Sequence, residues 1–131
     1  MSVAKQGDNT DPEGSKQKPS QMLYDIPQSE NIKQCRYMLC DEPTRSMCAQ
    51  GIILYGCGWH TWLIGDDKTP GLPPRWGAEH YREAAITLLI REDKGEEFDD
   101  AARRWRKIQL MNDNKDKSFI QIADMLKEID L

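Results

Sequence analysis

Four cysteines and one nearby histidine are the residues of this chain with the most distinctive chemistry. Cys57 and His60 are separated by two residues, which is the spacing of one ligand pair in many zinc sites. Cys35 and Cys40 could supply two further ligands, although the four residues between them make a looser pair. If residues 34–40 form a strand, these two side chains lie on opposite faces and cannot reach one ion. Cysteines outside disulfides are often small buried apolar residues, so we expect no cofactor and keep zinc as the alternative.

The same pair, Cys57 and His60, could instead serve as a nucleophile and its base. A thiolate beside an imidazole is the reactive form in cysteine-dependent enzymes. That mechanism also needs an orienting third group and an oxyanion hole, and the sequence has no motif for either. The chain also contains no glycine-rich phosphate loop and no serine-centred elbow. We therefore do not expect an enzyme.

A basic run from Arg103 to Lys107 surrounds Trp105 and could contact nucleic acid. Arginine beside an aromatic residue can hold phosphates while the ring stacks on bases. Trp105 falls on the apolar stripe of a predicted helix, however, and acidic residues one turn earlier offset the bases. The net charge of −4 and the pI near 5.2 also lack the basic excess of most nucleic-acid-binding proteins. Nucleic acid is therefore not the expected partner.

The loop from Asp66 to Gly77 is the candidate for protein recognition. Three prolines stiffen this loop, which carries Leu72, Arg75 and Trp76. Exposed aromatic residues on a stiff loop are typical interface anchors because they lose little entropy on binding. Trp76 could equally pack against the base of the helix that follows. By elimination, the sequence indicates a small cytoplasmic binding or regulatory module that acts through a protein partner.

Length and composition allow a single domain. The chain has 131 residues, of which 31% are charged, and its mean hydropathy of −0.76 is polar for a compact domain. Residues 1–20 hold one Val and no other large apolar residue after Met1, so we expect a disordered tail before a domain over residues 21–131. The chain has no apolar run long enough to span a bilayer and no signal-peptide core at its start, which predicts a cytoplasmic protein without membrane contact.

The most apolar run, Gly51 to Asp67, is expected to form the centre of a small antiparallel sheet. Short runs of aromatic and β-branched residues between glycines are typical of strands. Two glycines around Cys57 suit a tight reversal, so we expect a β-hairpin turning at residues 56–58. One long strand with a glycine bulge is the alternative. Strands over residues 34–40 and 47–55 would complete a three-stranded meander.

The segments before this sheet have ambiguous hydrophobic patterns, whereas those after it have clear helical patterns. Residues 22–27 end in a proline and are expected to be a short edge strand or an extended anchor. Residues 29–42 also fit a helix started by Ser29, so the strand over residues 34–40 is one of two interpretations. Apolar stripes predict helices over about 78–92 and about 96–111, and a capping box from Ser118 to Gln121 begins a third. The expected fold class is α+β, with a small antiparallel sheet packed against about three helices.

Overall fold

The computed structural model describes residues 17–41, 43–58 and 78–131, and for residues 78–81 the backbone alone. Within these ranges the chain combines five α-helices with a three-stranded sheet, which confirms a mixed class of helix and strand. A 3-10 turn over Glu92–Lys94 adds a short connection between two of the helices. The helices are α1 (Pro19–Ser29), α2 (Ala49–Gly56), α3 (Ala78–Thr87), α4 (Phe98–Asp113) and α5 (Phe119–Glu128), and the strands are β1 (Lys33–Gln34), β2 (Cys40–Asp41) and β3 (Ser46–Met47).

The sheet is short, and its strands run in mixed directions. β1 is parallel to β3, with Lys33 opposite Ser46, whereas β2 is antiparallel to β3, with Cys40 opposite Met47. The strand order β1-β3-β2 therefore differs from the antiparallel meander expected from the sequence. The single strand predicted over residues 34–40 is wrong because residues 35–39, called the 35–39 bend below, separate β1 from β2.

Helix α2 takes the place of residues 49–55 of the predicted strand, and it ends at Gly56, where the hairpin turn at residues 56–58 was expected. Cys48 caps the helix, since its Sγ accepts a hydrogen bond from the Gly51 N–H at 3.3 Å. Every residue from Ala49 to Leu54 is buried, which is typical of a helix that lies inside a core. A short apolar run without alternation fits a buried strand and a buried helix equally well. The remainder of the predicted hairpin lies outside the described residues.

The glycines that suggested a chain reversal allow close packing of α2 instead. A Cβ atom on Gly51 would lie 2.3 Å from the carbonyl oxygen of Leu39, and one on Gly56 would lie 2.6 Å from the Sδ atom of Met22. Neither position has room for a side chain unless its neighbour moves. Gly58 does adopt a left-handed conformation, with φ of 99°, but it does so just after the helix end, where such residues are common.

Helix α1 occupies the segment that the sequence suggested would be extended. It begins with Pro19 in its first turn, where the missing N–H of proline removes no helical hydrogen bond. Met22 and Leu23 are fully buried in the core, and α1 packs on α2 and α5. Pro27 lies within the last turn and does not prevent the helix from forming. Residues 19 and 20 belong to this helix, whereas residues 1–16 of the predicted tail lie outside the described residues.

A helix is present near each of the three positions predicted in the second half of the chain. α3 ends at Thr87 rather than near residue 92, and α4 begins at Phe98 rather than near residue 96. The predicted capping box is confirmed: the Gln121 N–H donates to Ser118 Oγ at 3.1 Å, and the Ser118 N–H donates to Gln121 Oε1 at 2.9 Å. Among the described helices, none has both the length and the apolar character needed to cross a membrane.

Candidate binding groove

The structure separates the cysteines that the sequence grouped as possible zinc ligands. Cys35 follows β1 and Cys40 begins β2, and both strands pair with β3, which leads into α2. Both cysteines therefore lie near the first turn of α2. Cys57 lies at the opposite end of α2, and the helix spans about 13 Å between its two flanking residues. In the described ranges, no three His, Cys, Asp or Glu side chains converge on a possible metal position. His60 lies outside those ranges, so the zinc alternative stays a prediction.

Burial keeps the thiols around α2 protonated at neutral pH. It raises the pKa of Cys57 to about 11 and the pKa of Cys48 to about 12. Burial is also the largest cause of the raised pKa of Cys35. Because the thiolate is the nucleophilic form, these environments oppose nucleophilic catalysis by the three thiols.

A groove of about 500 Å³ is lined by residues of the 35–39 bend, α2, α3 and α4. Its buried lining includes Cys48 and Leu54 beside Trp105, none of which is more than 5% exposed. Tyr37 and Met38 also line the groove, but they are 73% and 48% exposed. An apolar floor with large exposed side chains at its edge is typical of a binding site, and the volume lies in the range of ligand pockets.

Hydrogen bonds fix the 35–39 bend that carries Tyr37 and Met38. Tyr37 has φ of 66°, a left-handed conformation that is uncommon for residues other than glycine. Its N–H donates to Asp113 Oδ1 at 3.0 Å. On the other side of the bend, the Cys48 N–H donates to the Leu39 carbonyl oxygen at 3.1 Å. The bend therefore holds two large exposed side chains in a defined conformation.

Asn112, in the last turn of α4, connects this bend to α2. Its side chain is fully buried, and Nδ2 donates to the Cys35 carbonyl oxygen and to Asp113 Oδ1, each at 2.8 Å. Its Oδ1 accepts from the Ala49 N–H at 3.0 Å and from Gln34 Nε2 at 2.7 Å. The bond to Ala49 satisfies one of the N–H groups that have no partner within α2. One side chain thus positions three of the segments that surround the groove.

The exposed charges in the groove lining are positive. Arg82 of α3 and Arg106 of α4 both line the groove and are exposed. Neither forms an ion pair within the part of the chain that the structure describes. Asp113 also lines the groove, but its carboxylate is buried and accepts hydrogen bonds from Tyr37 and Asn112. The groove therefore presents local positive charge on a chain with a net charge of −4.

Gln50 contributes a buried amide side chain to the groove lining. Its side chain is 7% exposed, and Nε2 donates to the Trp105 carbonyl oxygen at 3.0 Å, which fixes the orientation of the amide. No described residue donates a hydrogen bond to the other amide atom, Oε1. A buried acceptor without a donor costs about 1–3 kcal/mol. A ligand that brings a donor to Gln50 would remove that cost.

A larger hollow of about 780 Å³ lies between residues 87–94 and residues 128–131. Its charged lining residues are of both signs, and Arg91 is already paired with Glu96 at 3.4 Å. None of the large apolar side chains that are strongly exposed in the described ranges lines this hollow. The smaller groove is therefore the better candidate for a binding site.

The sequence did not predict this groove. The partner-binding residues that it proposed, Leu72, Arg75 and Trp76, lie outside the described residues. Trp105 was correctly assigned to the core, since it is 5% exposed. The available signal for the groove was the adjacent pair Tyr37 and Met38 within a polar stretch, but the conformation of that stretch was undecided.

Comparisons of the chain with protein-family models, with curated proteins and with solved structures gave no match. A functional interpretation therefore depends on the geometry of the described residues. The groove is the feature of that geometry with an apolar floor, exposed anchors and unpaired charges together.

Proposed function

We propose that this chain is a small non-catalytic regulatory module of the cytoplasm that binds a protein partner through the groove. The observation that carries the proposal is the exposure of Tyr37 and Met38 on a bend held by hydrogen bonds. Tyrosine and methionine are enriched at protein interfaces. Because the bend is already ordered, its anchors lose less conformational entropy when a partner binds.

The environments of the thiols support the non-catalytic part of this proposal. Cys48 lines the groove, but its pKa of about 12 leaves the thiol protonated at neutral pH. The Sγ atom of Cys48 also accepts the Gly51 N–H and so serves to cap α2. These roles are structural, and they leave recognition as the function that the groove supports best.

Selection of peptides from a random displayed library against the full chain tests the proposal. Selected peptides should bind the Tyr37→Asn/Met38→Ser variant at least about tenfold more weakly, because the anchors are lost. Asparagine tolerates the left-handed conformation at position 37, so this variant should keep its fold. Ile120→Ser is the matched control, since Ile120 is 45% exposed on α5 and does not line the groove.

Equal binding of all selected peptides to the wild-type chain and to the Tyr37→Asn/Met38→Ser variant would overturn the proposal. The same peptides should be tested on Leu72→Ala and Trp76→Ala variants, because the sequence predicts that those residues are anchors. Weaker binding to these variants as well would extend the binding surface to the 66–77 loop.

A further inference from the structure

We infer that the partner segment is an acidic amphipathic peptide whose anchor is a Trp or Tyr side chain that donates a hydrogen bond to Gln50. This inference rests on the proposed function, because it specifies what the groove accepts. Two independent features of the lining carry it: the charge of the exposed residues and a buried acceptor, Gln50 Oε1, for which no described residue supplies a donor.

The charges around the groove favour a negatively charged partner. Arg82 and Arg106 line the groove without an ion pair among the described residues. The surface continues along α4 through a shallow hollow that shares Arg106 with the groove and adds Lys107 and the 49% exposed Leu110. Lys107 is likewise without an ion pair in the described part of the chain. Carboxylates next to apolar side chains would match this alternation of apolar and basic groups.

The acids near this surface do not cancel its charge. Among the described residues, Asp113 is the one acid in the groove lining, against Arg82 and Arg106. Asp99 is the one acid in the lining of the shallow hollow, against Arg106 and Lys107. Elsewhere the chain has an acidic excess, but charges beyond about 8 Å are largely screened at physiological salt. The local basic residues therefore determine which peptide binds.

The floor of the groove favours an aromatic anchor with a polar end. Leu54 and Trp105 provide apolar surface, and the buried side chain of Gln50 also lines the groove, with an Oε1 atom that accepts no hydrogen bond from a described residue. Tryptophan and tyrosine combine an apolar ring with one hydrogen-bond donor. Phenylalanine would fill the same space but leave the Gln50 acceptor unsatisfied. The groove should therefore discriminate between aromatic residues as well as between charges.

Fluorescence anisotropy with short labelled peptides tests the inference on the full chain. The parent peptide has one central Trp flanked by Glu, and its relatives replace Trp with Phe or replace every Glu with Gln or Lys. We expect the Phe peptide to bind about tenfold more weakly, since one donor is lost. We expect the Gln peptide to bind more weakly than the parent peptide and the Lys peptide to bind most weakly.

Variants of the protein assign these preferences to residues. Gln50→Leu should remove the difference in affinity between the Trp and Phe peptides, so that both bind about equally, because the acceptor is gone. The double variant Arg82→Gln/Arg106→Gln should reduce the advantage of Glu over Gln flanks in the same way. Lys127→Gln is the matched control for charge, since Lys127 is an exposed residue of α5 outside the groove.

The outcomes separate this inference from the proposed function. Groove-dependent peptides with neutral or basic flanks, or an equal affinity for Trp and Phe, would overturn the inference and leave the proposed function standing. If no peptide depends on Tyr37 and Met38, both fail. A labelled single-stranded oligonucleotide that binds tighter than the parent peptide and displaces it would assign the surface to nucleic acid and overturn both.

Discussion

The side-chain oxygen of Asn112 accepts a hydrogen bond from the backbone N–H of Ala49 at 3.0 Å, which joins the last turn of α4 to the first turn of α2. Gln34 joins β1 to α5 in a similar way, since its Oε1 atom accepts a hydrogen bond from the Phe119 N–H at the start of α5. Two neighbouring amide side chains thus cap two helices. Gln34 Nε2 also donates to Asn112 Oδ1, so the two caps form one network.

Replacement of Asn112 by Leu should destabilise the fold by about 3 kcal/mol, because buried polar groups at Ala49 and Cys35 lose their hydrogen-bond partner. Urea denaturation measures this change. Hydrogen exchange at the Tyr37 amide should also become faster, since Asp113 loses its contact with Asn112. The control is Asn114→Ala, at an exposed position two residues later, which should change stability by less than about 0.5 kcal/mol. A similar midpoint for both variants would show that the network contributes little.

The two packing glycines of α2 should respond differently to the same substitution. Gly51→Ala should destabilise the protein by about 1–3 kcal/mol, because the new methyl group meets the backbone oxygen of Leu39. Gly56→Ala should cost less, since the atoms that it meets belong to the flexible side chain of Met22. Thermal unfolding of both variants gives the comparison. A larger loss at Gly56 than at Gly51 would contradict this account of the contacts.

The helices in the second half of the chain could be predicted because their signals are local. Ser118 and Gln121 form a capping box that depends only on their spacing, and the structure confirms it. Trp105 falls on a helical apolar stripe, and it is buried. The helix ends were predicted less accurately, since α3 stops at Thr87, five residues before the predicted end. The 3-10 turn and the left-handed Gly95 occupy the predicted boundary between α3 and α4.

The centre of the fold could not be predicted because its decisive contacts are distant in sequence. The backbone of Leu39 leaves no room for a Cβ atom at Gly51, and the side chain of Met22 leaves none at Gly56. Glycines that look like turn residues in the sequence are therefore sites of close packing. Asn112 caps α2 from more than sixty residues away. The short apolar run that forms α2 gives no local indication of either contact. The spacing of its apolar residues alone could therefore not distinguish a helix from a strand.

The candidate groove was missed for the same reason. Its lining combines the 35–39 bend with residues from α2, α3 and α4, and no local motif relates them. The general argument that exposed aromatic residues on an ordered connection act as anchors also applies to Tyr37. What the sequence could not provide was the bond from Tyr37 to Asp113, which gives the bend its order.

The raised thiol pKa values predict slow alkylation of Cys48 and Cys57 in the folded protein. With pKa values of about 12 and about 11, both thiols are less than about 0.1% thiolate at neutral pH. Iodoacetamide should therefore modify them far more slowly than it modifies the same residues after unfolding in urea, as mass spectrometry can measure. Rapid labelling of Cys57 in the native protein would reinstate it as a candidate nucleophile.

Glu96 should make the stability of the folded chain depend on pH in the acid range. Its carboxylate accepts hydrogen bonds from Arg104 at 2.8 and 3.2 Å and from the Arg91 N–H at 3.0 Å. These bonds, those of Arg104 first, lower the pKa of Glu96 to about 2. The unfolded chain has the ordinary value of about 4.3. The contribution of Glu96 is therefore fully present above about pH 4.3 and is lost as the pH falls towards 2.

Glu96→Gln should consequently lower the urea midpoint at neutral pH and flatten its decline between about pH 5 and pH 2, because a neutral amide binds no proton over this range. Glu128→Gln is the matched control, since Glu128 is exposed and makes no ion pair among the described residues. It should leave both the midpoint and its pH dependence close to those of the unsubstituted chain. Identical acid profiles for the Glu96 and Glu128 variants would mean that the contacts with Arg104 and Arg91 do not hold the Glu96 carboxylate in its charged form.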